Sequence, residues 1–301
     1  MIKNSFAASC IKLKNKIRYK NILTEKRGAF PQQYEIAKNV FNKIFQEIKK
    51  RNFVLNYGDT VIINDEPHDN LPSITYKIRV YNSSYDDCEG FYNNDNGNHI
   101  ITLYIGKDAL GDLSSITISS ITHELMHCYH QCFTNYNKNI DDNEQKLYDL
   151  LPFFIKKCRT EFASHLLYGY YLTYYDEINA NVSAVENYIE AYLNGYVFKN
   201  KQDIINMTNE ALNDYSKYDD YVFLSNYFKT QKPSLYDKNY LINCLINPCE
   251  INNFTSLYEN GDVDKIIITF KKRIINRCEY AIEKMNKAKI NFIEKVYNDV
   301  K

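Results

Sequence analysis

Apolar residues recur every three or four positions from Gln32 to Lys50, with Ile36, Ala37, Val40, Phe41, Ile44, Phe45 and Ile48 on one face. That period predicts an amphipathic helix. The pattern then shortens. Three runs, Phe53–Asn64, Ile74–Tyr81 and His99–Gly106, have strand composition and are separated by polar turns, Asp65–Asn70 and Asn93–Asn98 among them. In the last run Ile101, Leu103 and Ile105 alternate with Ile100, Thr102 and Tyr104, as on a strand with two distinct faces. This strand leads into a helix expected at about Ser115–Phe133.

After a polar loop, Asn135–Asn143, helical stretches are expected at about Glu144–Lys157, Arg159–Tyr175 and Glu177–Leu193, the last closed by Asn194-Gly195. Beyond residue 200 nothing reads as sheet. Gln202–Asp214, Tyr218–Lys229 and Tyr236–Leu245 have helical composition. A final helix, about Asp264–Asp299, carries Ile275, Cys278, Ile282, Met285, Ile293 and Val296 at three- and four-residue spacings. The expected class is therefore α+β: a small sheet with helices in a domain over 31–197, then a mostly helical region over 198–301.

Residues 1–30 precede these as a basic arm, with Lys3, Lys12, Lys14, Lys16, Arg18 and Lys20 ahead of the first acid, Glu25. A solvated arm is its plainest reading. Charge over the whole chain is balanced, with 37 Lys+Arg against 37 Asp+Glu, so no global field points to nucleic acid as a partner. No apolar run approaches 18 residues, so no membrane span is expected. The N-terminal segment has no continuous apolar core of secretory type. The 8 cysteines are irregularly spaced and read as reduced thiols. The expected location is cytoplasmic, in a cell or an infected host.

Candidate chemistry concentrates in His123-Glu124-Leu125-Met126-His127. Positions i and i+4 of a helix lie about 40° apart around the axis and about 6 Å along it. Both imidazoles can therefore reach one metal ion, with Glu124 beside it to meet a water. The flanking Ile121, Leu125, Met126, Cys128 and Tyr129 are uncharged and allow the helix to be buried. His130 lies about 10 Å along the helix from His123 and cannot join that ion. His68 and His99, in or beside polar turns, read as surface residues. Cys128 and Cys132 are four apart, but no C-x-x-C pair exists and a structural zinc site is not expected.

This order of elements, a helix, a small sheet, then a helix bearing H-E-x-x-H, resembles the zincin metallopeptidases over about residues 32–195. The metzincin continuation H-E-x-x-H-x-x-G-x-x-H fails, because His130 and Phe133 stand where its glycine and third histidine belong. Gluzincins instead take a glutamate from a later helix. The candidate here is Glu177, with Ala180 and Ala184 allowing close approach to another helix and Asn181 one turn on. Glu161, with His165 four residues later, is the alternative. The resemblance implies a zincin-like domain with one Zn2+ on His123, His127 and Glu177, a water in the fourth position, and Glu124 as general base. It implies a peptide or protein substrate, lying along His99–Gly106 if that strand is a sheet edge. The oxyanion donor would come from Tyr168, Tyr170, Tyr171, Tyr174, Tyr175 or His165. The competing expectation is a catalytically inactive zincin-like binding or virion-associated structural protein.

Overall fold

A computed structural model of the chain describes residues 33–51, 58–68, 71–81, 88–106, 114–133, 151–152, 154–245 and 263–299. The basic arm, the start of the strand expected at 53–64, the polar loop 135–143 and most of the helix expected at 144–157 lie outside these residues. The architecture is α+β. Helix α1 (Gln33–Lys50) precedes strands β1 (Thr60–Asp65), β2 (Ile74–Tyr81), β3 (Cys88–Asp95) and β4 (Asn98–Gly106). Then come helices α2 (Ser114–Phe133), α3 (Glu161–Leu172), α4 (Tyr175–Tyr192), α5 (Lys201–Asp214), α6 (Ser216–Thr230), α7 (Leu235–Leu245) and α8 (Val263–Asp299).

The strands form one mixed sheet in the order β1-β2-β4-β3. β2 runs parallel to β4, Ile74 opposite His99 and Val80 opposite Ile105, and antiparallel to β1. β3 and β4 make an antiparallel hairpin closed by Asn96-Gly97, with Asp95 opposite Asn98. Both turn residues have positive φ, 52° and 87°, the conformation that favours Asn-Gly in tight hairpins. The Asn94 side chain accepts from the Gly97 amide at 2.9 Å. A segment expected to be turn throughout, Asn93–Asn98, is thus two strand ends and a two-residue turn. β3 escapes a hydrophobic reading because Glu89, Phe91, Asn93 and Asp95 all face solvent. It also displaces β4 from the edge: β4 lies inside the sheet and β3 at its edge.

By packing, the described residues fall into two compact units, one drawn from Lys138–Ile178 and Lys217–Glu283, the other from Lys26–Asn137, Asn179–Ser216 and Lys284–Lys301. In the sheet-bearing unit, Ile36, Val40, Ile44 and Ile48 of α1 meet Val61 and Ile63, Tyr76 and Ile78, Ile101, Leu103 and Ile105 in one core. Ile118, Ile121, Leu125 and Cys128 of α2 join it, as do Ala180 and Ala191 of α4. Each fully buried Ile, Val or Leu side chain among these contributes about 1.5–3 kcal/mol. In the other unit Gly169 of α3 lets Ile274 and Phe228 close in; a Cβ there would meet Ile274 at 3.2 Å. The Arg273 guanidinium lies 4.1 Å from the Tyr170 ring centre and donates to its hydroxyl. Among the described residues no helix is long and apolar enough to cross a membrane.

Candidate metal centre

Helix α2 is rich in serine, threonine and isoleucine, which are weak helix formers, so its geometry is set by what it packs against. Ile118, Ile121, Leu125, Cys128 and Tyr129 are buried. A polar network fixes it one residue before the motif. The Thr122 hydroxyl donates to the Ile118 carbonyl at 2.8 Å and accepts from the Asn187 amide of α4 at 2.9 Å. The Thr122 carbonyl accepts from Gln33 of α1 at 3.0 Å, and Ser183 of α4 donates back to Gln33 at 2.7 Å. Thr122, Asn187 and Gln33 are buried, where satisfied polar networks specify position more than they add net stability. Three helices are thereby indexed to the residue that precedes His123.

On this frame His123 and His127 turn their Nε2 atoms toward each other, 3.0 Å apart, with ring centres at 4.7 Å and planes at 75°. Glu177, the third residue of α4 and buried, completes the group: one ligand atom from each of His123, His127 and Glu177 falls within 4.8 Å of the others. Two nitrogens bound to one tetrahedral zinc at 2.0–2.1 Å would sit about 3.3 Å apart. Two imidazole nitrogens and one carboxylate oxygen are the donors such an ion takes. The set fits zinc. Asn181 is buried one turn beyond Glu177.

Glu124 is also buried, and its Oε1 lies 4.0 Å from His123 Nε2. Directly against it runs the β3 backbone at Gly90. A Cβ there would fall 2.5 Å from Glu124 Cγ and 2.7 Å from Oε1, so only glycine leaves the carboxylate in place. Sequence reading passed over Gly90, because its role depends on a hairpin that hydrophobic periodicity does not reveal.

Glu161, the alternative third ligand, is exposed at the start of α3. His165, four residues on, packs its ring 4.7 Å from Tyr227 and 5.1 Å from Phe223. Of the tyrosines considered for the oxyanion, Tyr168 donates to Asp220 at 2.6 Å and Tyr170 is engaged by Arg273. His130 is buried, 2% exposed. His68 is half-exposed and its Nε2 meets Asp65 at 2.8 Å.

His99 differs most from expectation. It is half-buried on β4, with the Tyr92 hydroxyl 2.8 Å from Nδ1 and the Cys128 and Cys132 sulfurs each 3.9 Å from the same nitrogen. Burial lowers its pKa and raises those of both thiols. Cys128, Cys132, Cys158 and Cys278 are free thiols; Cys128 and Cys278 are buried, whereas Cys132 is exposed.

No family model matches the chain, and neither the curated proteins nor the solved structures contain a significant match to it.

Proposed function

We propose that this protein is a zinc-dependent peptidase of zincin type, with His123, His127 and Glu177 as metal ligands and Glu124 as general base. The observation that carries the reading is the convergence of two Nε2 atoms and a buried carboxylate from a separate helix on one small volume. When bound, zinc supplies a Lewis acid that polarises a carbonyl and activates water near neutral pH.

The chain's own residues then do the following. Glu124 accepts a proton from the attacking water at its carboxylate and returns it to the leaving amine nitrogen. Gly90, without a Cβ, leaves that carboxylate room beside His123. The substrate strand is assigned to β3 rather than to β4, because β3 is the edge. An extended peptide paired along β3 would pass Gly90, and therefore Glu124, with its backbone carbonyls held by strand pairing.

Glu124→Gln tests the assignment. Zinc content by elemental analysis should stay at the wild-type level, while peptide hydrolysis falls by about 10²–10⁴-fold. A wild-type chain that binds no zinc, or a variant that still cleaves peptides at the full rate, would remove the proposal.

A further inference from the structure

The hydrogen-bonded cluster on the other flank of α2 has a donor set of its own. Around a helix advancing 100° per residue, the Cys128–Cys132 pair points roughly 140° away from the His123–His127 pair. One ion cannot serve both. Yet His99, Cys128 and Cys132 also bring one ligand atom each within 4.8 Å of the others. Both sulfurs lie 3.9 Å from His99 Nδ1, and that of Cys132 is equally 3.9 Å from Nε2.

We propose that His99, Cys128 and Cys132 form a second zinc site, independent of the first. In tetrahedral zinc with Zn–S of 2.3 Å and Zn–N of 2.0–2.1 Å, a sulfur and a nitrogen are separated by about 3.5 Å. Each sulfur therefore has to close on Nδ1 by a few tenths of an ångström, with a turn of the His99 ring that brings Nδ1 rather than Nε2 toward Cys132. Two sulfurs and one imidazole are soft donors that select zinc over magnesium or calcium. The number of protein ligands is three, which leaves a fourth position for water or another donor. The exposed Cys132 gives the ion a path from solvent, while the buried Cys128 anchors it to the core.

Tyr92 supports the site from β3. Its hydroxyl reaches His99 Nδ1 at 2.8 Å and lies within hydrogen-bonding distance of both thiols. With metal on Nδ1, the hydroxyl is placed to donate to a ligating sulfur, the kind of outer contact that orients metal ligands. The two cysteine protons leave to solvent as the ion binds, so no oxidant or reductant is involved. The consequence is mechanical. The site ties β4 to the C-terminal half of the helix that carries the first histidine pair.

Cobalt(II) distinguishes the two sites, because only this one offers sulfur. The full chain, fully reduced and metal-free, is titrated with Co2+ and then with Zn2+. A thiolate-to-cobalt charge-transfer band should grow to one equivalent and be bleached by zinc. Cys132→Ser, at an exposed position, should lose the band and bind one zinc fewer than wild type, with its metal-free circular dichroism unchanged. The double variant His123→Ala/His127→Ala should keep the band whether or not the peptidase reading stands. A missing band while thiol titration shows free cysteines, or a band that survives in Cys132→Ser, would overturn the second site.

Discussion

Gly90 marks how narrowly the geometry at Glu124 is set. One added methyl group would stand 2.7 Å from Oε1, inside any normal contact distance. The side chain must then swing away, since the alternative is to move an edge strand paired along its length to β4. Gly90→Ala should therefore retain zinc and fold normally, because His123, His127 and Glu177 are untouched. Its kcat should fall by about 10²-fold, the scale associated with an ångström of misplacement. KM should move much less. Steady-state kinetics with parallel zinc analysis reads both quantities, and an unchanged kcat would mean that Glu124 does not act from this position. At the residue scale the motif itself was legible, because His123, Glu124 and His127 depend only on the 3.6-residue turn. Glu177 was legible as an acid opening a helix. Gly90, Thr122 and His99 were not, since each acquires its partners across 29 to 65 positions of chain, from Glu124, Asn187 and Cys128 in turn.

Elements show the same division. Helices with a continuous apolar stripe, α1 and α8 above all, lie within a residue or so of their expected limits. β3 was invisible, because half of its side chains face solvent and its identity comes from pairing. Helix starts can also be completed at a distance. Thr160 precedes α3 but makes no capping hydrogen bond; the α3 start is instead served by Asp237, whose Oδ1 accepts from the Ala163 amide at 3.2 Å. The other oxygen, Oδ2, accepts from the Ser234 amide and hydroxyl at 2.8 and 2.6 Å, closing a capping box on α7. Burial pushes this carboxyl upward, but the hydrogen bonds from Ser234, Thr160 and Ala163 outweigh it and leave its pKa below the ordinary value. A depressed folded-state pKa stabilises the fold above the unfolded value, about 3.9, and that contribution is lost as pH falls through the folded value. Asp237→Asn should accordingly cost about 2 kcal/mol at pH 7, from two weakened caps. The deficit should shrink below about pH 4 as the wild-type carboxyl is protonated. Urea midpoints at pH 7 and pH 3 would test this, and a deficit constant across that range would count against it.

For the whole molecule, both groups that could hold a metal ion draw their histidines and cysteines from the unit that holds the sheet, α1 and α2. Among the described residues no such group lies within the unit that holds α3, α6 and α7. A ligand that binds only the folded form stabilises it by RT ln(1 + [L]/Kd), about 2.7 kcal/mol at one hundred times Kd. That free energy belongs to the structure that must open to release the ion. Zinc should therefore slow amide exchange in β2, β4 and α2 by about 100-fold relative to chelator-treated protein, wherever exchange requires that unit to unfold. Mass-resolved hydrogen exchange with and without a chelator measures this directly. Cys132→Ser then separates the sites: it should remove the part of the protection that reaches β4 through His99 and leave the part carried by His123 and His127. No slowing in α2 would show that the protein does not hold zinc through His123 and His127.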